Sequence, residues 1–214
     1  QMKIEHTYEL TYWQQDRYHV IGIDEAGRGP IAGPLVVAGV CFPPFFTHDE
    51  IYDSKKVSEK KRERLFKEIC SLALEYHIIV VDPETIDRKN IYAATQDAMQ
   101  EIVDQFAHKD AVLTDAMPLP RCTLPKEALV KGDQKSLSIA AASILAKVTR
   151  DNIMKEYDLC YPEYGFAKHK GYPTKAHLQA LEKYGVLAIH RKSYGPVRNA
   201  LMPHFDLVFE DDEK

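Results

Sequence analysis

Val20-Ile21-Gly22-Ile23-Asp24-Glu25-Ala26-Gly27-Arg28-Gly29-Pro30 is the stretch on which the fold turns. Its first part is an apolar β-strand pattern that ends on two adjacent carboxylates, Asp24 and Glu25. Its second part, Gly27-Arg28-Gly29, is bare backbone around one planar cationic fork. Neighbouring carboxylates repel each other and each favours water, so a strand end carrying both is suited to holding a cation. The plain alternative is a solvated acidic turn followed by a flexible bend, and the rest of the chain has to overturn it.

Outward from this stretch, strand and helix signals alternate. Residues 19–24 form the first strand, and the valine-rich run 34–42 its hairpin-like continuation. After a loop ending in Asp53-Ser54-Lys55-Lys56, Ser58 is a good N-cap for a helix with Leu65, Ile69 and Leu72 on one face. Residues 75–81 read as a short buried strand, and Asp82-Pro83 as a helix start. Residues 90–106 form an amphipathic helix with Ile91, Ala94, Ala98, Ile102 and Phe106 inward, and residues 111–115 another strand closing on a carboxylate, Asp115. Beyond Pro118, Pro120 and Pro125, Ala128-Leu129-Val130 reads as a last short strand. Residues 136–151 read as a long helix of small residues, and Thr174 as the cap of a helix reaching Tyr184, with more helix after it. This order predicts an α/β sheet with a helical C-terminal part. The expected organisation is an N-terminal extension over 1–17, packed against the domain by Trp13, and a catalytic domain over 18–160. Residues 161–205 are its helical C-terminal part, and residues 206–214 a disordered acidic tail.

Composition narrows the function classes. A chain of 214 residues with 45% apolar content can bury a sizeable core. Its four cysteines are widely spaced, make no CxxC pair and follow no visible secretory leader, which predicts free thiols in a reducing cytoplasm and argues against zinc. The most apolar run, 31–46, is broken by Gly33, Pro34, Gly39, Pro43 and Pro44, so it is not a membrane span. The net charge of −4 conceals an asymmetry: residues 121–200 carry 14 Lys and Arg against 7 Asp and Glu, whereas residues 1–120 carry 13 against 20. A basic half joined to an acidic half suits an enzyme that grips phosphates and coordinates cations.

Acids recur where strands end or helices begin: Asp24, Glu25, Asp115, and Asp133 after Lys131-Gly132. Functional groups collect at the carboxyl ends of strands in α/β sheets, so these four could converge. Together they would repel strongly unless divalent cations neutralised them. Hard oxygen donors with no His or Cys nearby in sequence select Mg²⁺ or Mn²⁺, and such a cluster suits two-metal phosphodiester hydrolysis.

At this point the chain resembles the type 2 ribonucleases H of bacteria. The resemblance is carried by Ile23-Asp24-Glu25-Ala26-Gly27-Arg28-Gly29-Pro30, Asp53-Ser54-Lys55-Lys56, Asp115, Lys131-Gly132-Asp133, the run from Ala141 to Asp151, and Lys168-His169-Lys170-Gly171-Tyr172-Pro173. It spans roughly residues 18–200. It implies a ribonuclease H-like mixed sheet flanked by helices, and an endoribonuclease that cuts the RNA strand of RNA–DNA hybrids and nicks 5′ of single ribonucleotides embedded in duplex DNA. It also implies two Mn²⁺ or Mg²⁺ ions held by Asp24, Glu25, Asp115 and Asp133, with Asp24 bridging them. The backbone of Gly27, Arg28 and Gly29 would meet the ribonucleotide 2′-hydroxyl, Tyr172 the sugar that follows it, and Lys55 a nearby phosphate. The expected state is a monomer, with protein partners unknown.

Other features have blander readings. None of the nine histidines forms an H-E-x-x-H motif, and His169 and His190 read equally as surface or phosphate-near residues or as catalytic ones, with no role assigned to either. Asp151 reads as a helix ion pair or cap more than a fifth acid, while Lys168 and Lys170 read equally as groove-lining or solvated. Of the competing functions, a nucleotide-binding module fails because Gly27, Gly29 and Gly33 miss the G-x-G-x-x-G spacing by one residue. A two-carboxylate glycosidase fails because adjacent acids cannot easily flank a scissile bond. A type 3 ribonuclease H also joins Asp to Glu, but typically adds an N-terminal domain for which residues 1–17 leave no room, and carries Lys where Arg28 stands.

Overall fold

A computed structural model describes residue 4 and residues 7–203. In chain order its elements are α1 (Thr7–Trp13), β1 (Val20–Ala26), β2 (Leu35–Cys41), α2 (Glu59–Leu72), β3 (Glu75–Val81), α3 (Pro83–Lys89), α4 (Ile91–Gln105), β4 (Ala111–Asp115), β5 (Lys126–Leu129), α5 (Leu137–Cys160), α6 (Phe166–His169), α7 (Lys175–Tyr184) and α8 (Gly195–Leu201). The strands form one mixed sheet in the order β3-β2-β1-β4-β5, with β1–β2 and β2–β3 antiparallel and β1–β4 and β4–β5 parallel. This is the expected α/β architecture.

Helices cover both faces, and the two-residue period of a strand sorts the side chains between them. On β2, Val36, Ala38 and Val40 pack with α2 and α5, while Leu35, Val37 and Cys41 pack with α4. Ile21 and Ile23 of β1 also face α4. Between them Gly22 faces α5, where a Cβ would stand only 2.3 Å from the Ser138 carbonyl carbon, so glycine sets how closely helix and sheet approach. The small residues of α5 serve that same contact. Trp13 is buried against Val20, Ala111, Leu113 and Ile139, as expected of an N-terminal segment packed on the domain. A second tie comes from Glu9, whose Oε1 accepts hydrogen bonds from Ser136 Oγ and Ser138 N at the start of α5.

Some local expectations need correction. β3 has the predicted bounds but is not buried, because it is an edge strand with one neighbour; Tyr76 and Val80 are exposed. Leu72 ends α2 in solvent, while Leu65 and Ile69 carry that helix's buried face. The last strand begins at Lys126, and Val130 lies outside it, exposed. α5 does not stop near Asp151 but runs to Cys160, since Met154 and Tyr157 extend its apolar contact and the next proline is Pro162. The acidic tail lies outside the described residues.

Candidate functional site

β1 and β4 run parallel, with Ile23 beside Thr114. One residue further, Asp24 within β1 and Asp115 at the end of β4 stand on neighbouring strands, and the period of two places both on the sheet face covered by α5. Asp115 Oδ1 accepts the Gly132 N–H at 2.8 Å, which anchors the tight 3-10 turn Gly132–Gln134 carrying Asp133. Lys131 enters that turn in the left-handed region (φ 54°), and Ser136 then caps α5 by accepting from Ile139 N. A second 3-10 turn, Ser54–Lys56, is capped by Asp53 and joined to α5 by a 2.7 Å Ser54–Ser143 hydroxyl contact. Gln134 Nε2 donates to Asp53 Oδ2 and links the two turns.

These elements enclose a cavity of about 310 Å³. All nine residues singled out in the sequence line it: Asp24, Glu25, Asp115 and Asp133 with Gly27, Arg28, Gly29, Lys55 and Tyr172. Ala26, Ser54, Ser143, Lys147 and Arg150 complete the wall.

The acids strain against one another. Burial holds Asp24 well above the usual carboxylate range, and the charges of Glu25, Asp115 and Asp133 push the same way, opposed by the Glu25 N–H that donates to Asp24 Oδ1 at 2.7 Å. Glu25 is raised by burial and by Asp115 against the pull of Asp24 hydrogen bonding and Arg28. Asp133 rises to about 6 through burial and the charges of Asp53 and Asp115, with Lys55 opposing. The nearest cation, Arg28, stands 3.9 Å from Glu25 Oε1, too far to neutralise four acids, and Glu25 Oε2 is buried without a hydrogen-bond partner.

An orphaned carboxylate oxygen beside mutually repelling acids fits hard divalent cations. Among the described residues, no three His, Cys, Asp or Glu side chains form a ready metal cage. Mg²⁺ is commonly bound by one or two carboxylates, with waters and substrate phosphates completing the coordination.

Two buried arginines that sequence reasoning gave no role hold the loop opposite. Arg191 donates from Nη2 to Gly27 O (2.7 Å), from Nη1 to Arg28 O (3.1 Å) and from Nε to Gly33 O (3.0 Å). Arg150 donates to the carbonyls of Pro34, Ala32 and Lys170. Tyr194 adds a 2.5 Å hydrogen bond to Arg28 O. With these carbonyls engaged on the protein side, the Gly27–Gly29 backbone forms one wall of the cavity. Gly27 has φ +96°, and a Cβ there would meet Arg150 Nε at 2.2 Å, so glycine is required on both counts. Arginine usually reads as surface, so nothing local marks Arg191; only a cation with no carboxylate at helical spacing hints at it.

The remaining expectations resolve as follows. Asp151 is buried in ion pairs with Lys147 (2.8 Å) and Arg62 (3.8 Å), the helix-pair reading. Lys168 is solvated, and Lys170 is half-buried with its Nζ donating to Ala167 O. His169 and His190 are neither surface residues nor cavity lining: both are buried in an aromatic cluster behind Tyr172. No helix among the described residues is long and apolar enough to cross a membrane.

Parallel strand ends that carry carboxylates into a cavity under a long helix define a hydrolase of the ribonuclease H-like α/β class. The sequence model of the family Ribonuclease HII matches residues 21–197, and the chain belongs to that family. It is a type 2 ribonuclease H, an enzyme class that acts on RNA–DNA hybrids. A ribonuclease HII of Francisella philomiragia is 54% identical over 180 residues, covering 84% of this chain and 97% of the relative. The ribonuclease HII of Archaeoglobus fulgidus, solved as a complex with PCNA, aligns at TM-score 0.72 with 28% identity over 87% of this chain and 98% of its own. Bst-RNase HIII, crystallised in complex with Mn²⁺, shares the fold at TM-score 0.61 and 18% identity, over 86% of this chain and 70% of that one.

Proposed function

We propose that this enzyme nicks 5′ of single ribonucleotides embedded in duplex DNA, as well as cutting the RNA strand of longer hybrids, and leaves 5′-phosphate and 3′-hydroxyl ends. The observation that carries the reading is the meeting, in one cavity, of four acids with a glycine-walled loop and an exposed tyrosine ring. In this reading Asp24, Glu25, Asp115 and Asp133 hold two Mg²⁺ or Mn²⁺ ions. When bound, those ions supply an activated water nucleophile and stabilise the leaving oxygen.

The chain's own groups do the rest. Gly27, Arg28 and Gly29 offer backbone polar groups to the 2′-hydroxyl, which is recognised and does not act as nucleophile. Close approach of that sugar requires the missing Cβ atoms. Arg28 and Lys55, which both line the cavity, meet phosphate oxygens. Tyr172 lies against Gly29, where a Cβ would stand 3.3 Å from its Cε1, and it meets the sugar after the ribonucleotide. The working unit in this reading is a monomer.

The test is cleavage mapping on a DNA duplex with one embedded ribonucleotide, in Mg²⁺, in Mn²⁺ and in excess chelator. A single metal-dependent cut on the 5′ side is expected. Cutting in chelator, or products ending in a 2′,3′-cyclic phosphate, would refute it.

A further inference from the structure

Behind Tyr172 lies a cluster of three histidines that the mechanism above does not use. His177 and His190 are almost fully buried, and His169 nearly so. The rings of His169 and His177 stack at 4.3 Å and 9°, and Phe166 meets both edge-on.

Their hydrogen bonds define every tautomer. Leu187 N–H donates to His190 Nδ1, so that nitrogen is a bare acceptor and the ring proton sits on Nε2. His190 Nε2 lies 2.9 Å from His177 Nε2 and must donate to it. His177 Nε2 is therefore the acceptor, its proton sits on Nδ1, and Nδ1–H donates to Tyr172 O at 2.9 Å. His169 is settled the same way: Gly171 N–H donates to Nδ1, and Nε2–H donates to Tyr164 O. Each ring uses one donor and one acceptor, so a second proton on any of them would set donor against donor. Burial agrees, holding His177 and His190 down to about 4.

We propose that the directed chain Leu187→His190→His177→Tyr172 positions the Tyr172 backbone, and thereby tunes the preference for an embedded ribonucleotide over a long hybrid. The inference deepens the reading of Tyr172 given above and rests on it. The chain ends on the carbonyl of the residue whose ring lines the cavity, a carbonyl that also accepts from Thr174 N at 2.8 Å. A substrate-facing ring displaced by about 1 Å loses on the order of 10²-fold in rate. His177 and His190 are positioning residues and touch no substrate.

Two measurements test this on the full chain. Long-range ¹⁵N–¹H NMR of the wild type at pH 7 is expected to show His177 protonated on Nδ1, His190 and His169 on Nε2, and all three neutral. A His177 proton on Nε2, or a cationic ring, would overturn the proposal whatever the variants do. The second measurement is the ratio of kcat/KM on a duplex with one ribonucleotide to that on a long hybrid. His177→Phe keeps the ring but loses both nitrogens and should lower this ratio by about 10-fold or more. His177→Asn, whose amide N–H can stand near the former Nδ1, should restore it to within about 3-fold. Tyr172→Ala separates the two levels of the argument. If it leaves the ratio unchanged, the junction role of Tyr172 falls and this inference with it. If it lowers the ratio while His177→Phe does not, only the histidine chain is refuted. Should His177→Phe fail to fold, the wild-type NMR spectrum decides.

Discussion

Replacing Asp133 by Asn should make the metal-free protein more stable at pH 8, although the residue belongs to the candidate metal site. Its carboxyl rises from 3.8 to about 6, chiefly through burial and then through the charges of Asp53 and Asp115. The shift corresponds to about 3 kcal/mol at 1.36 kcal/mol per unit, and water entering the cavity lowers the realised figure to about 1–2 kcal/mol. The sign follows from which form the fold favours. A carboxyl raised on folding binds its proton more tightly in the native state, so no penalty exists below about pH 4. The penalty grows between about pH 4 and 6 and is complete above that window, so wild-type stability falls as pH rises through it. Asn carries no charge at any pH. Thermal melts in EDTA should therefore coincide near pH 4 and separate by about 2–8 °C at pH 8, with Asp133→Asn the higher, at about 2–4 °C per kcal/mol for a chain of this size. Millimolar Mn²⁺ should raise the wild-type melting temperature and leave the variant nearly unmoved, because binding to the folded state alone adds stability by mass action. A variant no more stable than wild type in EDTA at pH 8, or an offset equally large at pH 4, would show that the acids do not strain against one another.

How much of this was legible in the sequence depended on whether the controlling contact was local. Helix starts follow from a single side chain reaching its own backbone, and Ser58, Asp82 and Thr174 cap where they were expected to. Asp24 and Asp115 stand out because an acid at the end of an apolar strand breaks a pattern. Their adjacency needed the parallel register of β1 and β4, which no local signal encodes. β5 was misplaced because Lys126 and Glu127 are solvated edge residues, and four residues are too few to show alternation. The supports of the site were the least legible. Arg150 and Arg191 are read as surface cations unless the carbonyls they bind are known, and all but that of Lys170 lie more than 100 residues away in sequence. His177 and His190 carry no mark of their role either: their partners are one another, the Leu187 N–H and the Tyr172 carbonyl. Sequence marks groups that face substrate more readily than those that face inward to hold them.

The remaining predictions probe that division between reacting groups and their supports. Asp24→Asn or Asp115→Asn should lower cleavage by 10³-fold or more, on the order of one lost transition-state charge contact of about 4 kcal/mol, with circular dichroism unchanged; activity near wild type in Mg²⁺ would remove the acid from the site. Gly27→Ala should abolish activity and lower the melting temperature, since φ +96° and the Arg150 guanidinium both exclude a methyl group, whereas Gly185→Ala, with φ +90° but open space around it, should keep activity. Arg191→Lys keeps the charge but replaces a planar fork spanning Gly27, Arg28 and Gly33 with a single ammonium that cannot reach all three carbonyls. At least one buried carbonyl then goes unpaired, at a cost of about 1–3 kcal/mol, and the loop it belongs to is the one proposed to read the 2′-hydroxyl. The expected signature is a modest fall in melting temperature with a disproportionate rise in KM for the embedded ribonucleotide; equal losses on every substrate, scaling with stability, would make Arg191 a structural residue only.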